Sequence, residues 1–216
     1  MSTNKSIVAV IGLGNIGKVV ASNLVKGNRE VIVASRKIED AKALASELGS
    51  LAKAADVKTA ISDADVIVFS VWFSTIQELF KQYATELRDK IVIDPSNPIA
   101  PDGHGGFKKI IGADESAGEI LKALLPGGAK LVKALGSLGS GSLAEEAFKN
   151  PNRVLFYASD DKTVTNVVEA LIKDIGFEPV SIGDINQSIR MEVFGELHEF
   201  GALGKAVTKS ELKQTA

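Results

Sequence analysis

The glycine run at residues 12–17 constrains the fold of this chain more than any other feature. It has the form Gly-x-Gly-x-x-Gly and directly follows the apolar stretch Ile7–Ile11. The next segment, Asn15–Lys26, carries an apolar side chain at every fourth position, which is typical of a helix packed on a sheet. A strand, a glycine turn and a helix in this order predict a dinucleotide site, because the glycines admit a pyrophosphate to the free N–H groups of the helix. The residues predicted to bind the cofactor here are Gly12, Leu13, Gly14, Asn15, Ile16 and Gly17.

A basic turn follows the second predicted strand, Val31–Ala34, and bears on the choice of cofactor. Sites that prefer NAD place Asp or Glu at this point to bind the ribose 2′-hydroxyl. This chain has Ser35, Arg36 and Lys37 there, and its first carboxylate is Glu39, inside the next predicted helix. A guanidinium binds a 2′-phosphate through two parallel hydrogen bonds and also stacks on an adenine ring. We therefore predict NADP(H) as the cofactor, in contact with these three residues; the alternative is a basic turn that only faces solvent.

Short apolar runs alternate with helical patterns along the rest of the chain. Strands that alternate with helices of ten or more residues predict an α/β fold with a doubly wound, Rossmann-like parallel sheet. Residues 1–100 are predicted to form the dinucleotide-binding core. Residues 101–216 are predicted to add further strands, to end in one long helix from Asp184 onward, and to form the region for substrate and for a second copy of the chain. Residues 95–107 hold three prolines and three glycines and predict a long ordered loop.

The ends of three predicted strands supply further candidate ligand contacts, because ligands of such sheets bind at the carboxyl ends of the strands. The fourth strand ends at the only tryptophan, whose ring suits a flat ligand, although ordinary packing is the alternative. The fifth ends near an asparagine whose side chain is able to bind an amide. The sixth ends in glycine and serine residues that let the backbone approach a second ligand, or that form a flexible loop. The residues concerned are Ser70, Val71, Trp72 and Asn97 for the cofactor and Leu135, Gly136 and Ser137 for the substrate.

Few side chains are suited to proton transfer. The chain has no cysteine and two histidines, which excludes zinc–thiolate sites and predicts that no metal is bound. The Ser-Tyr-x-x-x-Lys arrangement of short-chain dehydrogenases does not occur. His198 and Lys133 are weak candidates for a general acid, and packing alone also accounts for His198. Hydride transfer between two planar rings needs positioning more than an acid–base pair, so this scarcity favours it over alcohol oxidation.

Charge and hydropathy argue against two classes of partner. The 25 basic and 27 acidic residues give a net charge of −2 with no basic stripe, so we expect no nucleic-acid partner. No stretch approaches 18 consecutive apolar residues, and residues 1–6 lack the pattern of a signal peptide. We therefore expect a cytoplasmic protein that acts on a small molecule and does not bind a membrane.

Several of these segments together resemble one known family, the NADPH-dependent oxidoreductases related to the coenzyme F420 (deazaflavin)-dependent NADP reductases. The similar segments are the glycine loop, Val33–Arg36, the turn at Trp72, Asp94–Pro98 and Val132–Leu135, and the resemblance covers nearly the whole chain. It implies a homodimer. It also implies that NADP is held by Gly12, Gly14, Asn15, Ile16, Ser35 and Arg36, and that the nicotinamide and the deazaflavin are flanked by Val71, Trp72 and residues 135–137.

The leading hypothesis is an NADP(H)-dependent oxidoreductase that transfers hydride between NADPH and a flat acceptor such as deazaflavin or flavin. The alternatives are a non-catalytic NADP(H)-binding sensor and a small imine or carbonyl reductase resembling pyrroline-5-carboxylate reductase. The last predicted helix carries apolar residues on more than one face, which indicates burial beyond its own monomer and predicts a homodimer. One face carries Ile185, Ile189, Val193, Leu197 and Phe200, and Met191, Phe194 and Leu203 lie on other faces; the alternative is a helix packed wholly within its own monomer.

Overall fold

A computed structural model describes residues 5–215 of the 216-residue chain. The strands are β1 Val8–Ile11, β2 Val31–Ala34, β3 Ala52–Ala54, β4 Val66–Phe69, β5 Ile91–Asp94, β6 Ile99–Pro101, β7 Phe107–Lys109, β8 Lys130–Ala134, β9 Val154–Ala158 and β10 Glu178–Ser181. The α-helices are α1 Asn15–Lys26, α2 Ile38–Leu48, α3 Val57–Asp63, α4 Phe73–Gln82, α5 Ala117–Leu124, α6 Ser140–Glu145, α7 Thr165–Asp174 and α8 Lys209–Thr215. Two short 3-10 helices span Lys162–Val164 and Ile185–Arg190.

Eight strands form one sheet in the order β10-β9-β8-β5-β4-β1-β2-β3. The chain runs outward from β1 to β3 and then returns to the other side of β1 at β4, so the switch in strand order lies between β1 and β4. All neighbours are parallel except β8 and β9, which pair antiparallel. The predicted α/β, Rossmann-like fold is therefore confirmed, and the strands after residue 100 extend the same sheet.

Helices cover both faces of the sheet, which explains why the central strands are continuous apolar runs. All four residues of β1, of β2 and of β4 are buried. Successive side chains of a strand point to opposite faces, so Val8 and Val10 pack with one apolar cluster while Ala9 and Ile11 pack with another. A parallel sheet that is buried on both faces has this composition. Among residues 5–215, no helix is long and apolar enough to cross a membrane.

The long terminal helix predicted from Asp184 onward is wrong. A 3-10 helix, Ile185–Arg190, is followed by successive turns as far as residue 203, and only Lys209–Thr215 is α-helical. Phe194 has a φ of +69° and Gly204 a φ of +70°, which an α-helix does not accommodate. Side chains and backbone groups of this segment bond to distant elements instead, and those tertiary contacts override the helical spacing of its apolar residues.

Two smaller differences concern segments around the central sheet. Residues 95–107 are not a simple loop, because β6 and β7 pair antiparallel as a two-stranded hairpin. Helix α3 lies in a segment for which the sequence predicted no element; the Asp56 side chain caps it by accepting a hydrogen bond from the Thr59 N–H at 3.0 Å. Neither change affects the order of the central strands.

Candidate functional site

The glycine loop lies between the carboxyl ends of β2 and β4. The N–H of Gly12 donates to the Ala34 carbonyl at 2.9 Å, and its φ of +94° is one that L side chains rarely adopt. A Cβ atom at Gly12 would overlap the Ser70 carbonyl and the Val71 side chain. The loop is therefore held against the turn after β4, where the strand order switches.

The start of α1 forms an open cradle of backbone donors. Gly14 occupies the N-cap position, no side chain caps the helix, and no acidic residue lies in its first turn. Within the described part of the chain, the N–H groups of Asn15, Ile16 and Gly17 find no hydrogen-bond acceptor. A Cβ atom on Gly14 would meet no other atom within 4 Å, whereas one on Gly17 would overlap the Gly12 carbonyl. Open space above unpaired helix N–H groups fits a pyrophosphate, and close packing beneath fits the third glycine of the motif.

The basic turn after β2 carries two exposed cationic side chains, those of Arg36 and Lys37. The Ser35 hydroxyl donates to the Lys37 carbonyl at 2.6 Å and accepts from the Lys37 N–H at 3.2 Å, so it shapes the turn. Arg36 and Lys37 are exposed, and neither side chain forms an ion pair or hydrogen bond with any described residue. Their side chains are therefore available to an anion, and the hydroxyl of Ser35 is already engaged.

The turn after β4 places Trp72 at the edge of this loop. Ser70 continues the sheet contact by donating its N–H to the Ile11 carbonyl at 2.8 Å. Trp72 is the N-cap residue of α4, and 56% of it is exposed although the next residue, Phe73, is buried. An exposed indole at the carboxyl end of a central strand provides a flat apolar surface for a ring.

The turns after β5 and β8 are in direct contact. The side-chain N–H of Asn97 donates to the Gly136 carbonyl at 3.0 Å, and its side-chain oxygen accepts from the Val193 N–H at 2.7 Å. Gly136 packs so closely on Pro95 that a Cβ atom would overlap the Pro95 carbonyl. Leu135 is fully buried and has a φ of +67°, a conformation that persists only where the surrounding structure enforces it.

Two buried hydroxyls on these turns, those of Ser96 and Ser137, have no hydrogen-bond partner among the described residues. The predicted substrate residues therefore lie in a tight, polar turn.

Lys133 and His198, the weak candidates for an acid, are both engaged inside the protein. Lys133 is 1% exposed; its ammonium donates to the Asp94 carboxylate at 2.7 Å and to the Ser96 carbonyl. His198 is 2% exposed, and its Nδ1 accepts from the Phe200 N–H at 3.0 Å. Burial lowers the pKa of His198 below its ordinary value of 6.5, against the opposing effect of Glu199. Both side chains are therefore buried and hydrogen-bonded within the protein, and neither faces solvent at this edge.

The sequence did not indicate the part that Asp94, Glu192 and Glu199 play in this region. Glu199 accepts a hydrogen bond from the Gly139 N–H and donates its own N–H to the Ser137 carbonyl at 3.1 Å. Glu192 accepts from the N–H groups of Ala117 and Gly118, each at 3.1 Å, and so caps the start of α5. All three carboxylates are buried, which their local sequence does not indicate, and each is hydrogen-bonded as a buried charge requires.

Two hollows on the surface do not coincide with the turns after β5 and β8. One of about 460 Å³ is lined by Arg88, Asp89 and Gly128, close to the starts of β5 and β8 and thus at the opposite edge of the sheet. Another of about 310 Å³ lies beside the glycine loop, between Leu13 and Asp40. No group of three or more metal-ligating side chains occurs among the described residues.

Comparison with known proteins finds a family model that matches part of the chain. Residues 7–98 match the family model described as NADP oxidoreductase, coenzyme F420-dependent, which confirms the resemblance predicted from the sequence. Among curated proteins, the chain is similar to a glutamyl-tRNA reductase of Methanococcus maripaludis, at 38% identity over 98 residues that cover 44% of this chain and 25% of the relative. It is also similar to a glycerol-3-phosphate dehydrogenase [NAD(P)+] of Pediococcus pentosaceus, at 25% identity over 190 residues that cover 82% of this chain and 54% of that one. The chain thus spans a quarter to about half of these relatives.

Solved structures share the fold over most of the chain. A hypothetical protein from Sinorhizobium meliloti superposes with a TM-score of 0.82 at 26% identity, covering 96% of this chain and 98% of that one. A candidate F420-dependent NADP reductase from Arthrobacter sp. FB24 gives a TM-score of 0.72 at 22% identity, covering 85% and 87%. An imine reductase from Aspergillus terreus, solved with an NADPH derivative, gives 0.63 at 18% identity, covering 86% and 58%. At 22% and 18% identity, these last two similarities show a shared fold and nothing more.

Proposed function

We propose that this chain, which belongs through residues 7–98 to the coenzyme F420-dependent NADP oxidoreductase family, is a reductase that passes hydride from NADPH to a flat acceptor such as a deazaflavin or a flavin. The observation that carries the proposal is that an open helix N-terminus at Gly14 lies beside the end of β2, where the exposed Arg36 side chain has no ion-pair or hydrogen-bond partner among the described residues. The first suits a pyrophosphate and the second suits a 2′-phosphate.

In this proposal the two halves of the chain have separate tasks. Residues 1–100 hold the dinucleotide, through the glycine loop and through Arg36 with Lys37. Residues 101–216 complete the acceptor side, where the turn at Leu135–Ser137 faces the same edge of the sheet as Trp72. Both strands β4 and β8 run parallel to β5, so their carboxyl ends lie at one edge.

Hydride transfer to such an acceptor requires the protein mainly to bind and orient the two rings. The nicotinamide cofactor, when bound, supplies the hydride. The chain orients the two rings, with Trp72 as a flat apolar surface and the turns after β5 and β8 as a rigid polar wall. Neither Lys133 nor His198 is free to donate a proton to an acceptor, since both are buried and hydrogen-bonded. A conjugated ring delocalises the added charge and takes its proton from solvent, so it suits such a site better than a simple carbonyl does.

The test is NADPH oxidation by the purified protein with coenzyme F420, FMN, riboflavin and 1-pyrroline as separate acceptors, each repeated with NADH. We expect turnover with at least one of the three ring acceptors, and with NADPH in preference to NADH. Turnover with 1-pyrroline alone would instead indicate an imine reductase. NADPH binding without turnover on any acceptor would indicate a sensor and refute the proposal.

We also propose that the active form is a homodimer that uses the segment after Ile185. Phe194 and Phe200 lie on this segment and are 54% and 64% exposed, although their neighbours Val193 and His198 are buried. Large aromatic side chains exposed on one segment are typical of a protein interface. Sedimentation at micromolar concentration should give twice the mass of the chain, and Phe200→Ser with Phe194→Ser should give the monomer. A monomeric wild type contradicts this part of the proposal.

A further inference from the structure

Three segments that are far apart in sequence are joined by one side chain, that of Asn97. Its amide nitrogen donates to the Gly136 carbonyl in the turn after β8, at 3.0 Å. Its amide oxygen accepts from the Val193 N–H in the C-terminal segment, at 2.7 Å. The side chain lies in the turn after β5 and is half-buried, so both of its polar ends are engaged by the protein itself.

The turn that carries Asn97 is itself fixed from beneath by a buried ion pair. Asp94 accepts from the Ser96 N–H at 2.7 Å through one carboxylate oxygen, and from the Lys133 ammonium at 2.7 Å through the other. Lys133 also donates to the Ser96 carbonyl. Asp94 and Lys133 are paired across β5 and β8, and both are essentially inaccessible to solvent. Apolar residues usually stabilise a core more than a buried ion pair does, so the presence of this ion pair indicates that it positions the turn.

The C-terminal segment closes the same network from the other side. Glu199 donates its N–H to the Ser137 carbonyl at 3.1 Å, and its carboxylate accepts from the Gly139 N–H. The three segments at residues 94–98, 135–139 and 193–200 therefore form one hydrogen-bonded unit, which we call the acceptor wall. Its central turn contains Leu135 in a strained conformation, which the network holds in place.

We propose that Asn97 is a positioning residue of the acceptor wall and that Lys133 is the buried anchor of the same wall. Asn97 then acts on the reaction through the turn at Gly136, without contacting the cofactor, and Lys133 has no part in proton transfer. This inference rests on the proposed hydride transfer, since it assigns the wall to the acceptor side of that site.

The decisive variant is Asn97→Asp, which keeps an oxygen for the Val193 N–H and replaces the donor that faces the Gly136 carbonyl. The matched control is Asn23→Asp, because the buried Asn23 also donates its amide to a backbone carbonyl at 3.0 Å, that of Leu143. With FMN and coenzyme F420 as probes, we expect Asn97→Asp to raise the acceptor KM by up to about tenfold, the factor reached when the full ~1.4 kcal/mol of the lost internal hydrogen bond is transmitted to acceptor binding. The NADPH dissociation constant should stay within about twofold of wild type in both variants, and Asn23→Asp should leave the acceptor KM unchanged.

Hydrogen exchange gives a second readout that needs no turnover. The backbone N–H groups of residues 135–139 and 193–200 should exchange faster in Asn97→Asp than in wild type, and at the wild-type rate in Asn23→Asp. Asn97→Ser, which adds no charge, should show the same pattern if the aspartate variant does not fold. An unchanged exchange pattern in a folded Asn97 variant overturns the inference. So does an Asn97→Asp variant that loses NADPH affinity but keeps its acceptor KM, because Asn97 would then be a cofactor ligand.

The role of Lys133 is tested separately, by hydrogen exchange, stability and the pH profile of kcat. Lys133→Met should speed exchange in the same residues and lower stability, while the pH profile of kcat keeps its wild-type form. Loss of one limb of that profile would show that Lys133 transfers a proton and would overturn its assignment as an anchor. If wild type reduces none of the probes, the proposed function fails, yet the exchange measurements still decide whether the wall exists.

Discussion

Arg36 should determine the preference for NADPH over NADH, because it is the exposed cation nearest the end of β2. Its side chain is exposed and forms no hydrogen bond or ion pair with the described residues, so Arg36→Ala removes no such interaction and should leave the Tm unchanged. A hydrogen bond to a charged group contributes about 1.5–3 kcal/mol, and each 1.4 kcal/mol is about tenfold in affinity. The variant should therefore bind NADPH about 10- to 100-fold more weakly. NADH has no 2′-phosphate, so its affinity should change little.

The assay is calorimetric titration of wild type and variant with both cofactors, at low and at physiological salt. Because the site is exposed, the loss should be larger at low salt, where charges are less screened. Arg88→Ala is the matched control, since Arg88 is also an exposed arginine without an ion pair in the described chain but lies at the opposite edge of the sheet, before β5. Equal losses for NADPH and NADH in Arg36→Ala would refute the reasoning, because they would show that Arg36 supports the loop instead of binding the phosphate.

Two further predictions concern the glycine loop and the buried histidine. Gly14→Ala should weaken the binding of NADPH and NADH alike by about tenfold or more without changing the Tm, because its Cβ enters the empty space above the helix start. Gly127→Ala is the control, since a Cβ atom there also meets no other atom. Unchanged calorimetric affinities in Gly14→Ala would contradict the predicted cradle. His198 has a pKa lowered by burial, so the unfolded chain binds a proton more readily than the folded one as the pH falls below about 6.5. The free energy of unfolding in urea should therefore be constant above that pH and decrease below it, with a smaller decrease in His198→Gln; the same decrease in the variant would show that other groups cause it.

The nucleotide-binding half could be predicted from the sequence because its signals are local. Helix α1 has the predicted bounds, Asn15–Lys26, since the glycine turn starts it and Gly27 ends it. Strand β2 likewise has the predicted bounds, because four consecutive apolar residues fit a strand that is buried on both faces. The same pattern predicts that Arg36 is exposed, because it is the first charged residue after this buried strand.

The half of the chain proposed to bind the acceptor could not be predicted in the same way, because its geometry depends on contacts between distant residues. Asp94 and Lys133 are adjacent only because β5 and β8 are neighbours, which neither residue's local sequence indicates. The segment after Asp184 has apolar residues at helical spacing, yet Val193 bonds to Asn97 and Glu192 caps α5, so these long-range bonds determine its path. The spacing of apolar side chains indicates burial on one face, and it does not distinguish a helix from successive turns that bury the same residues.

The two halves of the chain should respond differently to substitution. On the cofactor side, the Arg36 side chain and the N–H groups after Gly14 form no hydrogen bond or ion pair within the described protein, so single substitutions should change cofactor affinity without disturbing the fold. On the acceptor side, Asn97, Lys133 and Glu199 each bond to another segment of the wall, so a substitution at one of them shifts the others. Residues that share one hydrogen-bond network are non-additive, whereas distant independent sites add. Substitutions on the cofactor side should therefore act independently of the wall, whereas the change in acceptor KM for a double substitution in the wall should differ from the product of the two single changes.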